Sequence, residues 1–209
     1  MCIRDSTPMI ALVGLGPGQR DSLTLGAYEA LKTAGTLLLR TARHPVVDEL
    51  RAEGLSFQSL DRLYEQAPDF DRLYAALAEA VLAAARHRDV VYAVPGHPLL
   101  GERSVGLLVQ KAREEGLPVR VAPASSFVDA ALAALAFDEP GAGSSHLQLL
   151  DAAALSSAVL NPALPALLYQ VYDREVASRL KLALLEEYPE AHPVRIIRWA
   201  GVTGSETVT

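Results

Sequence analysis

The chain has 209 residues, half of them hydrophobic and 21% charged, with a formal net charge of −6. That balance fits one large or two small folded globular domains and excludes a polybasic nucleic-acid surface. No apolar run approaches the roughly 18 residues of a membrane helix. The single cysteine, Cys2, excludes an internal disulfide and a cysteine-built zinc site. A reducing, cytoplasmic setting follows as the expectation, and residues 1–8 lack the apolar segment of a signal peptide.

From Ile10 the chain reads as a strand (Ile10–Val13) that breaks at Gly14, Gly16 and Gly18, with Pro17 between the last two. Glycines at alternate positions let a backbone approach a ligand closely, and Asp21, Ser22 and Thr24 lead into a helix with Leu25, Tyr28, Leu31 and Ala34 on one face. Thr36–Thr41 reads as a buried strand, Val46–Glu53 as a short helix and Leu55–Leu60 as a lesser strand. Asp69 is placed as the N-cap of a long helix carrying Phe70, Leu73, Leu77 and Val81. Asp89–Val94 is the clearest buried strand, followed by a helix through Val105, Leu108 and Ala112, a strand at Leu117–Ala122 and an Ala-rich helix over Ser125–Ala136. Such alternation predicts a mostly parallel sheet with helices on both faces.

The Gly-, Pro- and Ser-rich stretch around 138–145 is the expected linker, separating domains at 9–137 and 146–209. Beyond it lie strand-like His146–Leu150 and Ala166–Tyr172, a helix with Val176, Leu180 and Leu184 on one face, and strand-like Val194–Ala200.

In an open α/β sheet, ligands gather at the carboxyl ends of the strands. Five loops are expected there: Gly14–Gly18, Thr41–Pro45, Asp61–Glu65, Pro95–Gly101 and Pro123–Phe127. The first is G-x-G-x-G, not the dinucleotide G-x-G-x-x-G, and no acidic residue closes the second strand. Arg40 and Arg43 stand there instead, which leaves an NADP-type site as a minor reading. No phosphate-binding P-loop and no G-x-S-x-G are present. In PGHP, two prolines bracket Gly96 and His97 just after a buried strand, as in a ligand clamp or a rigid turn. Five histidines occur, three as His-Pro (His44, His97, His192), but none is spaced for a metal, so no metal site is expected. Ser125 and Ser126 read most simply as helix caps.

Taken in order, these loops resemble the tetrapyrrole (corrin/porphyrin) methylases. VGLGPGQRDSLT at Val13–Thr24 resembles the family's opening, V-G-x-G-P-G-x-x-x-x-L-T. Gly96–Pro98 resembles its G-D-P with His97 for the aspartate, and Pro123–Phe127 its P-G-x-S-[SF] with Ala124 for the glycine. TARHPVV, DRLYE, VYAVPGHPL, QVYDR and LKLALLEEYPEAHPV are similar to the methylase-like N-terminal domain of MazG-type nucleotide pyrophosphohydrolase fusions, where histidine in PGHP is usual. The acidic helices of a pyrophosphohydrolase are not found, and the resemblance implies a last strand of the family beyond Thr209.

The resemblance implies two α/β subdomains with a ligand cleft between them, S-adenosyl-L-methionine as cofactor, a small-molecule acceptor and commonly a homodimer. Family position assigns the cofactor to Pro95, Gly96, His97, Leu100, Ser126, Phe127, Leu168, Gln170 and Ala200, and the acceptor side to the loop of Gly14, Gly16, Pro17 and Gly18. Methyl transfer rests on in-line positioning and water exclusion. Where a base is needed, the expected groups are Tyr172, Asp173 and His44. The alternative is a non-catalytic module that binds adenosylmethionine or a nucleotide and regulates or dimerises a MazG-type pyrophosphohydrolase.

Overall fold

The computed structural model describes residues 7–135, 146–155, 160–202 and 206–208. The expected linker at 138–145 lies outside them. Two compact units result, one running to Ala131 and rejoined by Trp199–Glu206, the other comprising Leu132–Arg198 and Thr207–Thr209.

The first unit is a five-stranded parallel sheet in the order β3-β2-β4-β1-β5. Its strands are β1 (Ile10–Gly14), β2 (Leu37–Leu39), β3 (Gln58–Ser59), β4 (Val90–Val94) and β5 (Val119–Val121). Its helices are α1 (Leu25–Lys32), α2 (Pro45–Ala52), α3 (Arg62–Gln66), α4 (Phe70–Ala85) and α5 (Arg103–Glu114), and α6 (Phe127–Leu135) begins in it and passes the boundary after Ala131.

Alternate strand residues point to opposite faces. Leu12, Leu38 and Tyr92 therefore enter one core with Leu73, Leu77 and Val81 of α4 and Leu108 of α5. Val13, Leu37, Leu39 and Ala93 enter the other, with Leu31 of α1 and Val46 and Leu50 of α2. Burial on both faces explains why β1 and β4 read as unbroken apolar runs.

The expected strands are longer than those formed. Thr36–Thr41 contracts to Leu37–Leu39, although Arg40 N–H still donates to Ala93 O at 2.9 Å. Leu55–Leu60 leaves only the edge pair Gln58–Ser59. DRLYE is not a strand-end loop: Asp61 precedes the five-residue helix α3, a piece too short to show periodicity in sequence.

In the second unit, β6 (Gln148–Asp151) pairs in parallel with β7 (Ala166–Tyr169), and α7 (Arg174–Glu187) follows. β7 ends three residues before the expected Tyr172, because Gln170 takes a left-handed backbone with φ 62° that cannot continue a ladder. β8 (Ile196–Arg198) and β9 (Glu206–Val208) form a separate two-stranded sheet, and β8 stops where Trp199 turns left-handed at φ 57°.

Candidate functional site

In the order β3-β2-β4-β1-β5, the chain leaves β1 toward β2 and leaves the adjacent β4 toward β5. The two connections therefore run in opposite senses on opposite faces of the sheet, with α1 on one and α5 on the other, which makes the ends of β1 and β4 a switch point where open sheets take ligands. Here the two loops are tied together. Gly96 N–H donates to Gly16 O at 2.8 Å and Gly16 N–H to Gly96 O at 3.3 Å, an antiparallel bridge beyond the parallel ladder. Both glycines are left-handed, at φ 72° and 66°.

The three glycines of the first loop are required by internal packing. A Cβ on Gly14 would lie 2.3 Å from Gly96 O and 2.6 Å from Ala124 Cβ. One on Gly18 would lie 1.7 Å from Gly201 O, and one on Gly16 2.8 Å from Ser22 O. Gln19 N–H donates to Gly201 O at 3.2 Å, holding the Trp199–Val202 turn, which includes Ala200, against this loop. Thr24 caps α1 by accepting from Ala27 N–H and donates its own proton to Pro123 O at 2.8 Å. The three motifs that are far apart in sequence thus meet around Gly14.

His97 accepts the Leu99 amide at Nδ1, 3.1 Å away, and its carbonyl accepts from Leu100 N–H. A carboxylate at this position would accept the same i+2 amide as an Asx turn. The histidine therefore keeps the turn while removing the charge. Pro95 lines a small pocket with Arg40, and Pro98 is buried near Gly14.

Ser126 caps α6 as its sequence suggests. Its hydroxyl accepts from Val128 N–H, and both its hydroxyl and amide donate to Asp129 Oδ2 at 2.7 Å. The amide and hydroxyl bonds from Ser126 hold the Asp129 carboxyl below its ordinary range. Phe127 opens α6 and is half-buried. In the second unit, Leu168 lies in β7 opposite Leu150, and Gln170 follows it in the left-handed conformation.

Two of the three expected bases are occupied structurally. His44 is the N-cap of α2: Nδ1 accepts from Val46 N–H, so the proton sits on Nε2, which meets Gly16 O at 3.0 Å. Both ring nitrogens are thereby engaged with backbone. Asp173 accepts Val176 N–H at 2.7 Å as the cap of α7. Tyr172 stands just before that cap and is 61% exposed.

Burial holds the His44 pKa below its ordinary 6.5, against the opposing bond to Gly16. Above 6.5 the ring is neutral whether the chain is folded or not. Below it, the unfolded chain takes up a proton that the folded state resists. Stability is therefore full above 6.5 and falls as the pH drops beneath it, by at most about 1.4 kcal/mol per pH unit. Urea midpoints of the wild type at about pH 7.5 and about pH 5.5 should show this decline, and His44→Asn, which keeps a capping acceptor, should flatten it.

Sequence reasoning missed a polar cluster beside these loops. Glu102, whose side chain is 3% exposed, caps α5 by accepting from Ser104 N–H and Oγ, and its other oxygen is ion-paired with Arg40 at the end of β2. Asp61 accepts from Thr41 Oγ1, Ala42 N–H and Ser59 Oγ, tying the TARHP loop to the start of α3. Burial acts to raise the Asp61 pKa, but these hydrogen bonds and nearby Arg43 outweigh it and hold the carboxyl low. Among the described residues, no group of histidine, cysteine and carboxylates is arranged to hold a metal, and no helix is long and apolar enough to cross a membrane.

The chain is 40% identical over 200 residues to the uncharacterized protein YabN of Bacillus subtilis, covering 96% of this chain and 40% of that protein. It thus spans about two fifths of that relative's length. Uroporphyrin-III C-methyltransferase from Thermus thermophilus, solved with S-adenosyl homocysteine, is 21% identical with a TM-score of 0.65, over 96% of this chain and 82% of that one. A cobalt precorrin-4 methyltransferase from cobalamin biosynthesis is 17% identical with a TM-score of 0.70, over 100% and 87%. At these identities the likeness shows the fold: an α/β architecture with a mostly parallel central sheet. The family profile of the Tetrapyrrole (Corrin/Porphyrin) Methylases matches residues 9–209, and with the three motifs gathered around Gly14, the chain belongs to that family.

Proposed function

We propose that the chain is an S-adenosyl-L-methionine-dependent methyltransferase of the tetrapyrrole methylase type, acting on a small-molecule acceptor in the cytoplasm. The observation that carries this reading is the meeting of VGLGPG, PGHP and PASSF around Gly14, at the switch point of the sheet. The cofactor's fit is supported at Gly96. That residue is left-handed, and a Cβ placed on it would meet nothing within 4 Å, so bare backbone is open to a ligand there. Pro95, Gly96, His97, Leu100, Ser126 and Phe127 would hold the cofactor, with Ala200. When bound, it supplies a methyl group activated on a sulfonium. The protein's part is to orient the acceptor and exclude water. With His44 and Asp173 engaged as caps, Tyr172 is the base we retain. Exposed Leu182, Leu185 and Ile196 support a homodimer.

The turn at His97 makes a specific prediction. His97→Ala, which loses the acceptor for the Leu99 amide, should weaken S-adenosylhomocysteine binding about fivefold, the worth of one net hydrogen bond. His97→Asn, which can accept the same amide, should bind like the wild type. Titration calorimetry of the three proteins checks this.

A second reading is favoured by the missing carboxylate at position 97 and by the greater length of the Bacillus relative. In it, the chain is a non-catalytic, ligand-binding or dimerising part of a MazG-type pyrophosphohydrolase. Incubation with methyl-labelled adenosylmethionine and a small-molecule cell extract separates the two. Label transferred to an extract component supports the enzyme. Binding without transfer supports the module.

A further inference from the structure

Position 97 carries no carboxylate, since His97 stands there with Nδ1 taken by the Leu99 amide. A carboxylate is close by on another element. Asp129, in the first turn of α6, lies near enough to His97 for the two to interact electrostatically. Its bonds from Ser126 make a capping box. That role accounts for Oδ2 alone, because the amide and the hydroxyl both donate to this oxygen at 2.7 Å. Oδ1 is not committed to the cap.

Asp129 is exposed and lines a pocket of about 390 Å³, within the roughly 300–1,000 Å³ of small-molecule sites. Pro17 of the first loop, Asp21, Ser22 and Ser125 share the lining, and no lysine or arginine does. The pocket therefore offers acceptors and negative charge, and nothing that would balance an anion. Of its two carboxylates, Asp129 is the one bonded to Ser126 and in reach of His97, both assigned above to the cofactor. We propose that Asp129 receives the ammonium of the cofactor's amino acid tail, supplying from α6 the carboxylate that the PGHP turn lacks. The assignment rests on the methyltransferase reading, which supplies the ligand.

The test is calorimetric titration of the wild type, Asp129→Asn and Asp21→Asn with S-adenosylhomocysteine and with its analogue lacking the amino group. Asparagine removes the charge and keeps an acceptor for the Ser126 cap, and circular dichroism verifies each fold. The wild type should bind S-adenosylhomocysteine about fivefold more tightly than the analogue, the upper end for an exposed charge pair. Asp129→Asn should bind the two about equally, and Asp21→Asn should keep the wild-type preference. A purely capping role would weaken both ligands alike in Asp129→Asn, and that unchanged ratio would overturn the proposal. Equal binding of the two ligands by the wild type would overturn it as well. A preference lost in Asp21→Asn, not in Asp129→Asn, would move the ammonium to the other carboxylate and refute the assignment. In each of these cases S-adenosylhomocysteine still binds and the methyltransferase reading stands. A folded wild type that binds neither ligand refutes that reading, and the assignment with it.

Discussion

Gly14→Ala is expected to destabilise the protein by at least about 3 kcal/mol, at the upper end of overpacking costs. For a chain of this size that lowers the melting temperature by roughly 6–12 °C. The added Cβ would stand 2.3 Å from Gly96 O, 2.6 Å from Ala124 Cβ and 3.0 Å from Pro98 Cδ. The nearest of these is backbone, and it belongs to the residue bridged to Gly16, so it cannot move without breaking that bridge. Relief must therefore come from parting the loops after β1 and β4, and ligand binding should fall with stability. Gly106→Ala is the matched control. Gly106 is exposed within α5, and a Cβ there meets nothing within 4 Å. That substitution should stabilise by about 0.5–1 kcal/mol through helix propensity. Thermal melts followed by circular dichroism read both effects, and equal behaviour of the two variants would contradict the packing role assigned to Gly14.

Glu102→Ala should cost about 3–5 kcal/mol, the range for breaking a buried pair by removing one partner. Two losses combine. The Arg40 guanidinium is stranded at 22% side-chain exposure, and Ser104 loses the acceptor for both its amide and its hydroxyl. Removing both charges is expected to be far milder, because no uncompensated cation remains. The double variant Arg40→Leu, Glu102→Met should recover most of the lost stability in urea melts. A double variant as unstable as Glu102→Ala would mean that the cluster stabilises by cap and shape, not by charge.

The elements that show in the sequence are those whose signal is local. β1 and β4 are apolar runs bounded by glycine or proline, and Asp69 caps α4 where its side chain is expected to. The loop motifs are likewise local, and their order carries the family. What depends on contacts across the fold is not legible. Three glycines announce a tight turn, but only the folded chain shows that Gly14 faces Gly96 and Gly18 faces Gly201. Arg40 and Glu102 are 62 positions apart, and nothing near either one names its partner. His44 looks like a base because histidine usually titrates near neutrality. Its commitment to structure becomes visible only when Nδ1 is found accepting from Val46 N–H and Nε2 is found 3.0 Å from Gly16 O.

The most direct test of the account is calorimetric titration with S-adenosylmethionine and S-adenosylhomocysteine, with NADPH and a nucleoside triphosphate as controls. Micromolar binding of the two sulfur ligands, with neither control bound, is the predicted result. A folded protein that binds neither sulfur ligand, or that selects NADPH, would contradict it.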